Sequence, residues 1–209
     1  MPASPRVTRE RWITAGLEAL VDGGPGAVRV ETLAARLGVT KGGFYGYFAN
    51  RDALLEQMLA EWERRSTDEA IAIAEEEGRS ARETMQLAGA LTFSDALLPI
   101  DLAVRSWARH DHGVAERLRR VDNIRIEFLR AMFRTYITDE SEIEARSTLA
   151  FATAIGQYFM AADHGAYTKD EAVDLAAALV LRPAAMASRP TRSSPDGRRH
   201  PPRRPRRHP

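Results

Sequence analysis

Val30-Glu31-Thr32-Leu33-Ala34-Ala35-Arg36-Leu37-Gly38-Val39-Thr40-Lys41-Gly42-Gly43-Phe44-Tyr45-Gly46-Tyr47-Phe48 reads as two short helices with a tight turn between them. Leu33, Ala34 and Leu37 give the first helix an apolar face at spacings of three and four. Gly38 can take positive φ without steric penalty, so it can end that helix and turn the chain. Thr40 stands where an N-cap belongs, with its hydroxyl available to the amides of the next turn. The second helix carries Gly42, Gly43 and Gly46 among Phe44, Tyr45, Tyr47 and Phe48, a poor composition for a helix stabilised only by itself. So many small residues imply that something bulky approaches its backbone. The major groove of duplex DNA admits an α-helix and is read by that helix's first residues, which fits the demand.

Outward from this stretch the chain continues in helices. Thr8 to Asp22 forms a first helix, with Trp12, Ala15, Gly16, Ala19 and Leu20 on one stripe. Asp22-Gly23-Gly24-Pro25-Gly26 ends it. Asn50 caps a fourth helix, expected to run from Arg51 to Glu77 and to span about 40 Å, enough to bridge two domains. Further helices are expected over 81–91, from Pro99 to Arg109, from Val114 to Tyr136, from Asp139 to Asp163 and from Lys169 to Leu181. His110-Asp111-His112-Gly113 reads as a turn. No stretch alternates as a half-buried strand would, so the fold class is all-α.

The 209 residues suffice for one mid-sized domain or two small ones with a real core. Apolar residues make up 44% and charged residues 28%, the composition of a soluble globular protein. The absence of cysteine excludes disulfides and thiolate chemistry. No apolar run approaches the ~18 residues of a membrane span, and Met1 to Arg6 lack the apolar core of a signal peptide. The expected location is cytoplasmic, without a membrane partner.

A net charge of +1 conceals a strong asymmetry: residues 1–51 carry +3, residues 52–181 carry −10, and residues 182–209 carry +8. A basic head on an acidic body presents one end to a polyanion and keeps the rest away. The same divisions mark the expected organisation: a DNA-binding domain over 1–51, a second helical domain over 52–181, and a tail over 182–209. With nine Arg and seven Pro, the tail has the composition of a disordered segment. It reads either as a nucleic-acid-binding arm or as sequence with no selected function.

Residues 8–59 resemble the N-terminal DNA-binding domain of the TetR family of transcriptional regulators. The resemblance is carried by signatures in fixed order: Val28-Arg29-Val30-Glu31, then Leu33-Ala34-Ala35-Arg36-Leu37-Gly38-Val39-Thr40-Lys41-Gly42, Phe44-Tyr45-Gly46-Tyr47-Phe48, and Asn50-Arg51-Asp52-Ala53-Leu54-Leu55. It implies a three-helix helix-turn-helix domain followed by a larger helical domain for ligand binding and dimerisation. It also implies a homodimer through the last two helices, a palindromic operator in double-stranded DNA, and release by a small-molecule effector.

The DNA contacts implied by the resemblance are Thr40 and Lys41 at the start of the recognition helix, Gly42 and Gly43 at its close approach, and Tyr45 at a base edge. Tyr47 and Arg51 resemble the family's backbone-contacting residues, and Arg29 and Thr32 are further phosphate contacts. Family members often carry Ser or Thr in place of Gly43, so a hydroxyl contact is missing here. Phe44 and Phe48, four apart, belong to the core instead, and Arg36 to a surface ion pair.

For a mostly apolar effector, the candidate residues are Met85, Phe93, Leu97, Trp107 and Phe128, followed by Met132, Phe151, Ile155 and Tyr158. Arg105 or His110 would supply polarity. No Gly-x-Ser-x-Gly elbow, P-loop, dinucleotide fingerprint or His-Glu-x-x-His occurs, so no catalytic residue, metal or cofactor is expected. The expected function is a dimeric, ligand-released repressor. An activator of the same fold and an architectural DNA-binding protein using the basic tail are the alternatives.

Overall fold

The side chains of Thr8 and Asn50 accept from the amides of Arg11 and Ala53 at 3.4 and 2.8 Å, and so begin α1 (Arg9–Gly23) and α4 (Arg51–Arg64). These distances come from a computed structural model that describes residues 7–75 and 79–182. Between α1 and α4 lie α2 (Val30–Arg36) and α3 (Lys41–Phe44), joined through Gly38 at φ 69°. Then follow α5 (Ala70–Ala74), α6 (Ala81–Thr92), α7 (Leu98–Ala108), α8 (His112–Arg134), α9 (Glu140–Gly156) and α10 (Lys169–Val180). Among the described residues there is no strand, and the all-α expectation is met.

Three elements differ from the sequence reading. The fourth helix is not uniform, because Arg65–Glu69 winds as a π-helix between α4 and α5. The end expected for that helix, at Glu77, lies outside the described residues, as does the tail beyond Arg182. Asp111 accepts from the amide of Val114 at 3.1 Å, so α8 starts at His112 and absorbs half of the expected turn. α9 ends at Gly156, well short of Asp163, and leaves Phe159 and Met160 exposed.

The main core gathers Trp12, Leu20, Leu33, Phe44, Leu54, Met58 and Trp62 from the first four helices, with Ile100 and Val104 of α7 and Val114 and Val121 of α8. It continues across the division expected at 51/52, since Leu54, Leu55, Met58 and Leu59 of α4 belong to it. Gly16 makes the α1–α4 contact close: a Cβ there would stand 2.6 Å from Sδ of Met58. A second cluster joins Met85, Phe133, Ile137, Ile143 and Leu181 in the other half of the molecule. Each fully buried Leu, Met or Phe contributes roughly 1.5–3 kcal/mol. Packing of that size, rather than helix propensity, holds a helix of four residues such as α3.

A polar seam runs through the first core. Asp101 on α7, 1% exposed, accepts from Nε1 of Trp62 at 3.2 Å, Nη2 of Arg125 at 2.9 Å and Nε of Arg105 at 2.8 Å. Arg105 in turn holds both carboxylate oxygens of Asp122 at 2.9 and 2.7 Å. The seam therefore ties α4, α7 and α8 together. Burial pushes the Asp101 carboxyl up, but the Arg125 and Arg105 charges outweigh it and hold it below the ordinary aspartate range.

A carboxyl held low in the fold adds stability that is present above its unfolded pKa of about 3.9 and lost as pH falls through the lower folded value. Asp101→Asn leaves two buried arginines facing one carboxylate, and it is expected to cost about 3–5 kcal/mol. Urea unfolding at neutral pH measures this, and an unchanged midpoint would show that the seam is not a stabilising contact.

Candidate nucleic-acid interface

Phe44 and Phe48 fix α3 from below. Phe44 is fully buried, meets Trp12 of α1 edge-on at 5.4 Å between ring centres, and stacks on Phe48 at 5.2 Å. With those two residues facing the core, Tyr45 and Tyr47 face out, 54% and 38% exposed. Both are large side chains left on the surface just past the end of α3. Thr40 does not cap α3 with its hydroxyl; its carbonyl accepts from the amide of Gly43 at 3.0 Å instead. A Cβ at Gly43 would meet nothing within 4 Å and one at Gly42 only the Thr40 hydroxyl at 3.7 Å, so the fold itself does not demand glycine at either.

The remaining expected contacts surround this helix, and two of them are occupied. Nζ of Lys41 forms an ion pair with Glu31 in the first turn of α2. The hydrogen bond and charge of each partner hold Lys41 above the ordinary lysine range and Glu31 below the glutamate range. Arg29 donates from Nε to the Gly26 carbonyl at 3.1 Å, and Thr32 is exposed on α2. Arg36 is held by Glu18 at 3.3 Å and Asp22 at 2.9 Å, the surface pair expected of it.

Arg51 has a partner that its place at the start of α4 does not announce. Its Nε donates to the Val28 carbonyl at 2.7 Å and its Nη2 to the Pro25 carbonyl, so the guanidinium pins the 25–28 turn to the start of α4. Only Nη1, 3.8 Å from Asp52, faces away from those carbonyls. Carbonyls of a turn have lone pairs to spare for a nearby fork of donors, and the sequence offers no sign of that preference.

Residues 13–58, which contain all of this geometry except the first turn of α1, match the family model described as bacterial regulatory proteins, tetR family. The resemblance to the TetR family is thereby shown for this segment. No curated protein matches it in sequence. Solved structures share its fold at low identity. A TetR transcriptional regulator from Legionella pneumophila is 15% identical, with a TM-score of 0.68 over 87% of this chain and 100% of that one. A TetR-like regulator from Rhodococcus sp. RHA1 is 18% identical, with a TM-score of 0.64 over 86% and 96%. The regulator FadR from Bacillus subtilis, solved with stearoyl-CoA, is 16% identical, with a TM-score of 0.60 over 83% and 97%. The chain thus has the fold of a DNA-binding transcriptional regulator, with its helix-turn-helix built from α2 and α3.

The second half of the chain holds a cavity of about 430 Å³. Met85, Phe93, Phe128, Phe151 and Tyr158, five of the eleven effector candidates, line it. The other six do not. Leu97 and Trp107 are taken into the first core because α7 packs on α1. Arg105 is spent on Asp101 and Asp122. Met132 packs against the second core, Ile155 stands half-buried on α9 outside the wall, and His110 is exposed.

The sequence reading missed Arg125 and Ser66, both buried in that wall. Arg125 had a legible signal. It interrupts an apolar stripe of α8 formed by Val121, Phe128 and Met132, and a charge at such a position needs a buried partner. Among the described residues no group of three His, Asp or Glu could hold a metal ion, and no helix is long and apolar enough to cross a membrane.

Glu31 occupies Lys41 at the helix start where a phosphate would be bound. Glu31→Gln is expected to tighten binding to duplex DNA roughly two- to fivefold, the range of an exposed ion pair, whatever the base sequence. Titrations of two unrelated duplexes check it, and equal or weaker binding by the variant would show that Glu31 does not compete for Lys41.

Proposed function

We propose that the chain is a homodimeric, cytoplasmic repressor that binds a palindromic operator and is released by a small, mostly apolar ligand. The observation that carries this reading is the exposed surface around α3. Lys41, Gly42, Gly43, Tyr45 and Tyr47 face outward while Phe44 and Phe48 anchor the helix from the core side. Thr40, Lys41, Arg29 and Thr32 would hold phosphates, Gly42 and Gly43 would let the backbone approach the bases, and Tyr45 would read one. Tyr47 and Nη1 of Arg51, paired only with the exposed Asp52, would reach the flanking backbone.

Two further observations support dimerisation and ligand control. α10 buries none of its twelve residues fully, and Leu175 and Leu179 are 56% and 61% exposed, with Leu149 of α9 exposed at 54%. An apolar helix face of this kind is what a second copy of the chain would cover. Two heads would then present their α3 helices to half-sites about one helical turn apart, roughly 34 Å. The cavity has the size of a small-molecule site, and FadR from Bacillus subtilis is solved with stearoyl-CoA. A ligand in it shifts the equilibrium only by its differential affinity for DNA-competent and incompetent states. The route outward is short, because α7 joins the seam beside the cavity to α1 of the DNA-binding domain.

Selection of bound duplexes from a random pool is expected to return two inverted half-sites. A consensus without inverted symmetry, or none, would overturn the dimeric-operator reading. Leu175→Glu with Leu179→Glu is expected to yield a folded monomer in sedimentation velocity that no longer holds the selected site. A variant that stays dimeric would move the interface away from α10.

A further inference from the structure

We propose that the effector carries an uncharged hydrogen-bond acceptor, a carbonyl of the ketone, ester, lactone or amide kind, received by Arg125 and Ser66. The inference rests on reading the cavity as the effector site and goes on to name the chemistry of what enters it. Asp174 and Gln86 are exposed and mark the mouth, whereas Ser66 and Arg125, at 1% and 6% exposure, are among the most deeply buried polar groups of the wall. Nη1 of Arg125 and Oγ of Ser66 are shut off from water and have no hydrogen-bond partner. The nearest carboxylate oxygen to Nη1, on Asp122, is 3.7 Å away, beyond hydrogen-bond reach. Buried donors left unmatched in a well-packed wall call for an explanation, and a ligand acceptor supplies one.

Charge decides which acceptor. Arg105 and Arg125 are already balanced by Asp101 and Asp122, through ion pairs of 2.7 to 2.9 Å. Among the described residues, the cavity wall adds Asp174 and no further cation. A ligand carboxylate would therefore be an unpaired third anion at a buried site, with its desolvation uncompensated. A carbonyl accepts from Nη1 without disturbing the balance. The apolar part of the ligand lies against Phe128, Leu129 and Phe151. Phe93 stands over the guanidinium, its ring centre 5.9 Å from Cζ of Arg125. Because Nε of Arg125 also donates to the Ser66 carbonyl at 3.4 Å, the acceptor bears directly on the π-wound segment that follows α4.

Calorimetric titration of the full chain with 2-decanone, decanoate and 1-decene tests this. The ketone is expected to bind roughly ten- to a hundredfold more tightly than the alkene, the range of a hydrogen bond to a charged donor, and decanoate more weakly than the ketone. Arg125→Lys keeps the charge that faces Asp101, and Ser66→Ala removes a hydroxyl that has no partner. Each is expected to lower ketone affinity and leave alkene affinity unchanged. Equal binding of ketone and alkene, or ketone affinity unchanged in both variants, overturns the acceptor while the cavity reading stands. Tightest binding of decanoate overturns the neutrality argument. Binding of none of the three overturns the cavity reading, and this proposal falls with it.

Discussion

The structure depends on a carboxylate that no single helix could hold buried. Asp101 sits on α7 with a cation from its own helix, Arg105, a cation from α8, Arg125, and the indole N–H of Trp62 from α4. An isolated ionised group at that depth would be driven to its neutral form, and only convergence of donors from three helices keeps it charged. The constraint works in both directions. The helices must meet in one register for the donors to converge, and once they do, none can slide without stranding a buried charge. Since α7 also packs on α1, the seam is tied to the N-terminal helices as well.

The short helix α3 illustrates the complementary strategy. α3 has four residues, too few to be stable by itself. It is held by two aromatic rings that point away from the surface it presents, Phe44 against Trp12 and Phe48 beneath it. Stability is delivered from one side and leaves the other free for small residues and exposed tyrosines. The local ion pairs on that surface, Lys41 with Glu31 and Arg36 with Glu18 and Asp22, are exposed and screened, so they shape the electrostatics more than the stability. Ion pairs of this kind compete with phosphates for the same cations.

The cavity is the region where local pattern informs least. Met85, Phe93, Phe128, Phe151 and Tyr158 were recognisable as large apolar or aromatic residues at helical spacing. So were Leu97 and Trp107, which went into the core instead. Periodicity states which face of a helix is apolar, but an apolar face can be filled by a neighbouring helix or left open to a ligand. For α7 the neighbour was α1, and nothing within residues 98–108 announces that contact. Arg105 was misassigned for the same reason, because its carboxylate partner on α8 lies seventeen residues away. The converse holds for Arg125, whose place in an apolar stripe marked it as unusual while its function waited on a partner from α7.

Sequence alone determined the all-helical class, the turn at Gly38, the capped starts at Thr8 and Asn50, and the inward aromatics of α3, with Tyr45 and Tyr47 left outside. Each of these follows from backbone geometry or from a repeat of three and four residues, and both act within one or two turns of chain. Tertiary structure alone decided that Arg51 pins a turn at Pro25 and Val28, that the helix after Asn50 passes through a π-wound segment, and which residues wall the cavity. Those outcomes depend on groups far apart in sequence that meet only after packing. A side chain's partner is then chosen by proximity and desolvation, neither of which is written in its neighbours along the chain.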